Sequence, residues 1–352
     1  MSSRLSRYGE DDGDITAVAG QRVAVVGYGN LGRPAALNLR DSGLDVFVGS
    51  REDADAGRAR EEGFEVVNVA SALSTGDVVW LALPDEVLGE VLDPASGARP
   101  KNGSLLCFSS GYPLAFGLVK LADYVDVVLL APRMIGSHIR RRYEAGEGFY
   151  SFVSVEQDAS GTARPRLLAL AKAFGTLRAG AYEVPAATEA ALDLYVEQTV
   201  GPLLGAAILA AFEVGSANGL PAEALALELY LSGEMGATWQ AFADHGFFPG
   251  VRLHGHAAAY GGFVRLADLD QEAMRQRFAA TLQDITDGGF ARRFQEELES
   301  GSPTRVLIDA MLAGDDPLSI AEAAVRAPGD TAGSQPSAPT DVGPQLGDGA
   351  RP

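Results

Sequence analysis

"RVAVVGYGNLGRPAALNLRDSG", residues 22–43, decides the fold. A short apolar run enters Gly27-Tyr28-Gly29-Asn30-Leu31-Gly32, and a helical pattern begins at once. In a G-x-G-x-x-G turn between strand and helix, the first glycine permits the tight turn. The second lets the backbone approach a pyrophosphate, and the third lets the helix pack against the strand. The helix start also offers free N–H groups and the positive end of its dipole to phosphates. Gly27 to Gly32 are therefore expected to hold a dinucleotide.

The next strand, "LDVFVGSRED" (44–53), bears on which one. A chain that takes NAD usually carries an acid about 20 residues after the motif, for the ribose hydroxyls. Gly49-Ser50-Arg51 stand there, and a hydroxyl beside a guanidinium suits a 2′-phosphate. Glu52 and Asp53 follow directly and pull the other way. NADPH is expected, with NADH as the alternative.

Farther out, β-branched runs alternate with helical patterns: "FEVVNV", "DVVWLAL", "GSLLCF", "VDVVLLA", "YSFVSV" and "LRAGAYEV". That alternation predicts βαβ units and a parallel sheet over residues 19–184. From 185 to 325 the β runs stop, and long Ala/Leu-rich stretches such as "AEALALELYLSGEMGATWQAFA" take over. The expected fold is α/β: a Rossmann-type doubly wound sheet followed by an all-helical domain. Residues 1–18 are polar and acidic, and 326–352 are rich in Pro, Gly, Ser and Asp, so both ends are expected to be disordered.

The 352-residue chain has 47 acids against 28 bases, a net charge of −19. Such a surface repels nucleic acid and anionic lipid, which sets those partners aside. The single cysteine, Cys107, rules out an intrachain disulfide framework and fits a reducing compartment. No secretory signal is visible, and the apolar run "VGPLLGAAILAAF" (200–212) is short and broken by glycine. A soluble, cytoplasmic protein is expected.

One apolar stretch carries charge. Asp193 and Glu197 in "LDLYVEQTVG" (192–201) sit four apart, one turn along one helix face, where two like charges repel. A solvated acidic face is the plain explanation, and a bound cation is the other.

These segments resemble the ketol-acid reductoisomerases, the NADPH- and magnesium-dependent enzymes of branched-chain amino-acid synthesis. The likeness runs from the glycine turn through "LPDEVLGEVL" (83–92), "FSSGYPLAFG" (108–117) and "APRMIGSHIRRRYEAGEG" (131–148). It continues in "VEQDASGTARPRLLALAKAFGTLRAGAYEV" (155–184) and "DLYVEQTV" (193–200), covering roughly residues 20–260. The resemblance implies that Asp193 and Glu197 are magnesium ligands, whose hard oxygens a cation would bring into shared attraction. It adds Glu228, on a later helix, as a third ligand. It also adds Leu83, Pro84, Ser110 and Gly136 to the cofactor site. A homodimer is implied in which Glu228 completes the site of the other chain, and the helical domain would be knotted.

Departures from the family fall at functional positions. The family's second glutamate on the later helix is Ser232 here, with Glu234 six residues beyond Glu228 and on another face. Ser110 stands where the family has a histidine beside the nicotinamide. Arg133 replaces the active-site lysine and stays charged at neutral pH. Gly255 replaces a substrate-gripping serine, flanked by His254 and His256, either of which could donate a proton to a reduced ketone. The family reaction is an alkyl shift, which asks for two metal ions, followed by hydride delivery. The losses should damage the shift more than the reduction. The expected activity is thus a magnesium-assisted NADPH reductase of a 2-keto or ketol acid. A working reductoisomerase with an unusual metal site, a silent NADP-binding protein, or a β-hydroxyacid or imine reductase are the rivals.

Overall fold

The computed structural model describes residues 4–93, 95, 97–250, 255–312 and 314–327. They pack as two compact units. One holds the chain up to Pro202 together with Gln271–Glu299, and the other holds Leu203–Asp270 and the chain from Ser300 onward.

The first unit is built on nine strands: β1 (Arg7–Tyr8), β2 (Arg22–Val26), β3 (Asp45–Gly49), β4 (Val66–Val67), β5 (Val78–Leu81), β6 (Leu105–Phe108), β7 (Asp126–Pro132), β8 (Ser151–Gln157) and β9 (Ala181–Glu183). Their order is β1-β9-β8-β7-β6-β5-β2-β3-β4. From β4 to β7 all pairings are parallel. Between the strands lie α1 (Gly32–Asp41), α2 (Ala54–Glu61), α3 (Val69–Thr75), α4 (Asp85–Val91), α5 (Tyr112–Ala115), α6 (Gly136–Glu144) and α7 (Ala163–Phe174). Helix α8 (Ala186–Ala217) then runs on into the second unit.

Alternate strand residues point to opposite faces of a sheet. Val23, Val25, Trp80, Cys107 and Val128 belong to one core with Leu167, Leu170 and Phe174 of α7. Ala24, Val26, Leu81, Phe108 and Leu129 belong to the other, with Leu73 of α3 and Leu88 of α4. Trp80 packs edge-on to Phe174 at 4.7 Å, and its indole N–H donates to Ser109 at 2.8 Å, which satisfies the one polar atom of the ring.

Several expectations change. The sheet is mixed, because β7 and β8 pair antiparallel, Pro132 opposite Ser151. The segment between them leaves and returns at the same end of β7, where the Arg133 N–H donates to the Tyr150 carbonyl at 2.8 Å. A crossover to a parallel strand would have had to travel back along the sheet. The N-terminus is ordered from residue 4. Arg7 and Tyr8 pair with β9, and the Tyr8 hydroxyl donates to Glu183 at 2.6 Å, a long-range anchor that no local pattern encodes. Finally, the run 200–212 is only part of α8, whose 32 residues are long and apolar enough, by length and composition alone, to cross a membrane.

In the second unit, α9 (Ala222–Ala226) continues into a turn of π-helix at Leu227–Leu231. Gly233 at φ +84° ends it, and α10 (Glu234–His245) starts afresh. The stretch that the sequence presents as one helix is therefore two, and Glu234 does not share an element with Glu228. Then come α11 (Phe247–Gly250) and α12 (His256–Asp268). Helices α13 (Gln271–Thr286) and α14 (Gly289–Glu299) return to the first unit, where Phe290 and Phe294 pack on Tyr112. Helices α15 (Pro303–Met311) and α16 (Pro317–Arg326) complete the second, with a small core of Phe212, Ala226 and Ala321. Residues 328–352, expected to form a loose tail, lie outside the described residues.

Candidate active site

The turn after β2 has the geometry its glycines imply. Gly27 sits at φ +94°, which a side chain rarely adopts. A Cβ on Gly32 would lie 2.0 Å from the Gly27 carbonyl oxygen, a backbone atom that cannot swing aside. Gly32→Ala is therefore expected to weaken dinucleotide binding at least about tenfold and to cost about 1–3 kcal/mol of stability. NADPH fluorescence titration and a thermal melt would check this, and unchanged affinity would contradict it.

Gly27, Tyr28, Gly29, Ser50, Arg51, Leu83 and Pro84 line one open cleft of about 450 Å³. Gly29 also lines an adjoining cavity with Asn30 and Gly136. The start of α6 comes so close to the turn that a Cβ on Gly136 would lie 1.9 Å from the Asn30 carbonyl. The Tyr28 side chain is buried against Phe64 and hydrogen-bonds Glu62, so what it offers the cleft is main chain. Leu31 caps α1 and packs on the core. At the end of β3, Glu52 is tied to Arg60 at 2.5 and 3.0 Å, and Asp53 accepts the Ala56 N–H as the cap of α2. Both acids that cloud the sequence reading are thus engaged. Arg51, exposed, has no partner among the described residues.

The ends of β5, β6 and β7 carry a second constellation. Arg133, just past β7, donates from Nη1 to Asp193 and from Nη2 to Glu189, both at 2.7 Å. Its guanidinium also lies 5.1 Å over the Phe152 ring. Glu189 is 1% exposed and takes the Gly111 N–H at 2.7 Å as well. Burial raises its carboxyl above the usual range, and Arg133 and that N–H pull it partly back. Ser110, beyond β6, donates to Asp85, beyond β5, at 2.9 Å. Burial pushes the Asp85 carboxyl up to about 6, with Glu86, Asp193 and Glu197 adding to the effect. Asp85 opens α4, and a helix N-terminus favours a carboxylate by up to about 2 kcal/mol when partly buried, yet burial still raises it. Glu197 is raised by burial first and by Asp193 second.

Sequence reasoning passed over Asp85 and Glu189. Glu189 could have been found, since Glu189, Asp193 and Glu197 continue one i, i+4, i+8 row along α8. Asp85 carried no local signal.

Asp193 and Glu197 supply hard oxygens one turn apart, with mutual charge that a cation would relieve. Among the described residues no three acids or histidines stand close enough to hold a metal ion. Mg²⁺ commonly keeps several waters and takes one or two carboxylates, so the pair fits as part of a site. Glu228 lies in the second unit, exposed on the π-helical turn, a distortion frequent at functional positions. Ser232 caps that turn. His256 opens α12, exposed, also in the second unit, and His254 lies outside the described residues.

Residues 17–180 match the family model "Acetohydroxy acid isomeroreductase, NADPH-binding domain", and 187–327 match "Ketol-acid reductoisomerase, C-terminal domain". The chain is 35% identical over 298 residues to a ketol-acid reductoisomerase (NADP(+)) of Renibacterium salmoninarum, covering 84% of this chain and 86% of the relative. It is 36% identical over 298 residues to one of Methanopyrus kandleri, with 84% and 89% covered. Among solved structures it resembles an NADH-preferring ketol-acid reductoisomerase from an uncultured archaean. There the TM-score is 0.86 and the identity 28%, over 93% of this chain and all of the other.

Proposed function

The chain belongs to the ketol-acid reductoisomerase family, and on that premise we propose an NADPH-dependent, magnesium-assisted reductase of a 2-keto or ketol acid with an impaired alkyl shift. Arg133 carries this reading. Its guanidinium spans Glu189 and Asp193 as a fixed cation, where the family resemblance puts a lysine. It neutralises one of the two carboxylates that would hold magnesium, and it cannot give up a proton at neutral pH. Ser232 removes a further charge. An alkyl shift develops charge on two oxygens and so depends most on a full cluster.

Asp193 and Glu197 would hold magnesium, which would supply Lewis-acid polarisation of a substrate oxygen. Arg133, 25% exposed at its side chain, orients Asp193 and can meet a substrate carboxylate. The glycine turn would hold the pyrophosphate and Arg51 the 2′-phosphate. With Glu52 and Asp53 engaged elsewhere, Arg51→Ala is expected to raise KM for NADPH about 10–100-fold and to leave KM for NADH within about threefold. Equal changes for both cofactors would return the choice to NADH, the preference named for the archaean structure.

A second copy of the chain is the partner. Leu192, Val196, Val200 and Leu204 form an exposed apolar row along α8, beside the acidic row. We read it as a subunit interface that brings the partner subunit's Glu228 to Asp193 and Glu197. The lone, buried Cys107 accords with a reducing, cytoplasmic setting.

The deciding experiment follows NADPH absorbance with 2-acetolactate and with 3-hydroxy-3-methyl-2-ketobutyrate, each with and without magnesium. The second compound needs only reduction. Oxidation with it alone is the expected result. Oxidation with both would make the protein a full reductoisomerase, and silence with both would defeat the reductase reading.

A further inference from the structure

We infer that Asp85 supplies the proton taken up by the reduced substrate oxygen and passes it through the hydroxyl of Ser110. This rests on the reductase reading above and goes beyond it by naming the proton's path.

The placement follows from topology. In a doubly wound sheet the dinucleotide lies outside the carboxyl ends of the strands. Arg51 and Ser50 at the end of β3 mark the adenosine side of the turn after β2, so the nicotinamide falls on the β5 and β6 side. Leu83 and Pro84, which line the cleft, lead directly into Asp85. Ser110 follows β6, the neighbour of β5, and its Oγ lies 2.9 Å from Asp85 Oδ2. The hydroxyl is fixed in place. Its oxygen accepts the Tyr112 N–H at 3.2 Å, and the next residue, Gly111, is held by Glu189. A Cβ on Gly111 would lie 2.2 Å from the Ala186 carbonyl, so this turn sits hard against the start of α8.

The surroundings of Asp85 favour its acid form. Burial is the main cause, and Glu86 on α4 and Glu189 on α8 add to it, with the Tyr112 phenol on α5. Asp193 and Glu197 also face it from α8, and their charge goes to the cation proposed above. Arg133 is the one cation in this group and is already committed to Glu189 and Asp193. A carboxyl so placed holds a proton within reach of neutral pH, as a general acid must. Arg133 keeps its protons.

The balance is simple. The substrate carbonyl carbon gains a hydride from a dihydronicotinamide, which is oxidised to the nicotinamide cation. The carbonyl π pair moves onto oxygen, and the Ser110 O–H gives that oxygen its proton. Asp85 refills Ser110 and is left as a carboxylate, which takes a proton from water after the product leaves. One ketone, one reduced cofactor and one proton yield one alcohol and one oxidised cofactor.

Two measurements on wild type, Asp85→Asn, Ser110→Ala and Ser110→Thr test this. The first is ¹³C NMR titration of aspartate-labelled protein without cofactor. It should show one carboxyl with a midpoint near 6. That resonance should vanish in Asp85→Asn and move to higher pH in Ser110→Ala, which loses the bond to the charged form. The second is single-turnover reduction of 3-hydroxy-3-methyl-2-ketobutyrate. The wild-type rate should fall about tenfold per pH unit above the Asp85 midpoint, while Asp85→Asn should be flat and about 10²–10⁴-fold slower. Ser110→Ala should share that loss, and Ser110→Thr should restore most of the rate.

A wild type that turns over while Asp85→Asn keeps its rate and pH profile overturns the inference alone. So does a midpoint near 4 with normal turnover. A wild type that never reduces the keto acid removes the reductase reading, and the inference falls with it.

Discussion

Replacing Arg133 by alanine is expected to remove about 3–5 kcal/mol of folding stability at pH 7 and to abolish reduction. Glu189 is 1% exposed, and Arg133 is its counter-ion at 2.7 Å. Without the guanidinium a buried carboxylate keeps only the Gly111 N–H, and Asp193 loses its partner as well. The loss should depend on pH. The Glu189 carboxyl is raised in the fold above its ordinary 4.5, so its contribution is present at low pH and is lost as pH rises through the folded value. Arg133 pulls that folded value down. Removing it pushes the value up and extends the loss further toward neutral pH. Arg133→Ala should therefore recover part of its stability between pH 7.5 and 5, whereas wild type should change less. Thermal melts at the two pH values decide the point, and equal losses at both would show that Glu189 is not the group left stranded. Arg133→Lys keeps the charge but gives up the two-pronged geometry, so it should fold well and bind Asp193 less firmly.

The second large effect is a rescue. If the proposed shared magnesium site holds, Asp193→Asn and Glu228→Gln should each lower turnover at least about 10³-fold when every chain carries the change, because each would remove a charged ligand. Co-expressed with different tags and purified through both, the mixed dimer should regain about half of wild-type activity. One of its two sites then combines an intact Asp193 with the partner subunit's intact Glu228, and the other site carries both changes. This differs from any single-chain arrangement, in which the mixed dimer would stay as inactive as its parents. A mixed dimer without activity would end the shared-site reading while leaving the family membership untouched.

Much of this molecule is written locally. The turn from Gly27 to Gly32 needs only a strand, three glycines and a helix start in succession. The Cβ positions at Gly32 and Gly136 explain why glycine stands there. The β-branched runs gave eight of the nine strands, because a strand buried on both faces leaves a short apolar run in the chain. The acidic row on α8 is likewise a matter of spacing, and Glu189 belonged to it all along. The ninth strand could not be found this way. Arg7 and Tyr8 form a strand only because β9 offers its edge, with partners some 170 residues away.

What the sequence determined by itself was the dinucleotide turn, the change from sheet to helices and the face that carries Asp193 and Glu197. Periodicity and turn chemistry act over a few residues and survive in any chain that has them. The tertiary structure alone decided the antiparallel return of β8, the break at Gly233, the meeting of Arg133 with Glu189 and the pairing of Ser110 with Asp85. Those depend on which strand ends lie side by side. Ser110 and Asp85 are 25 residues apart in the chain and 2.9 Å apart in space, because β5 and β6 are neighbours and a parallel sheet gathers its strand ends at one edge.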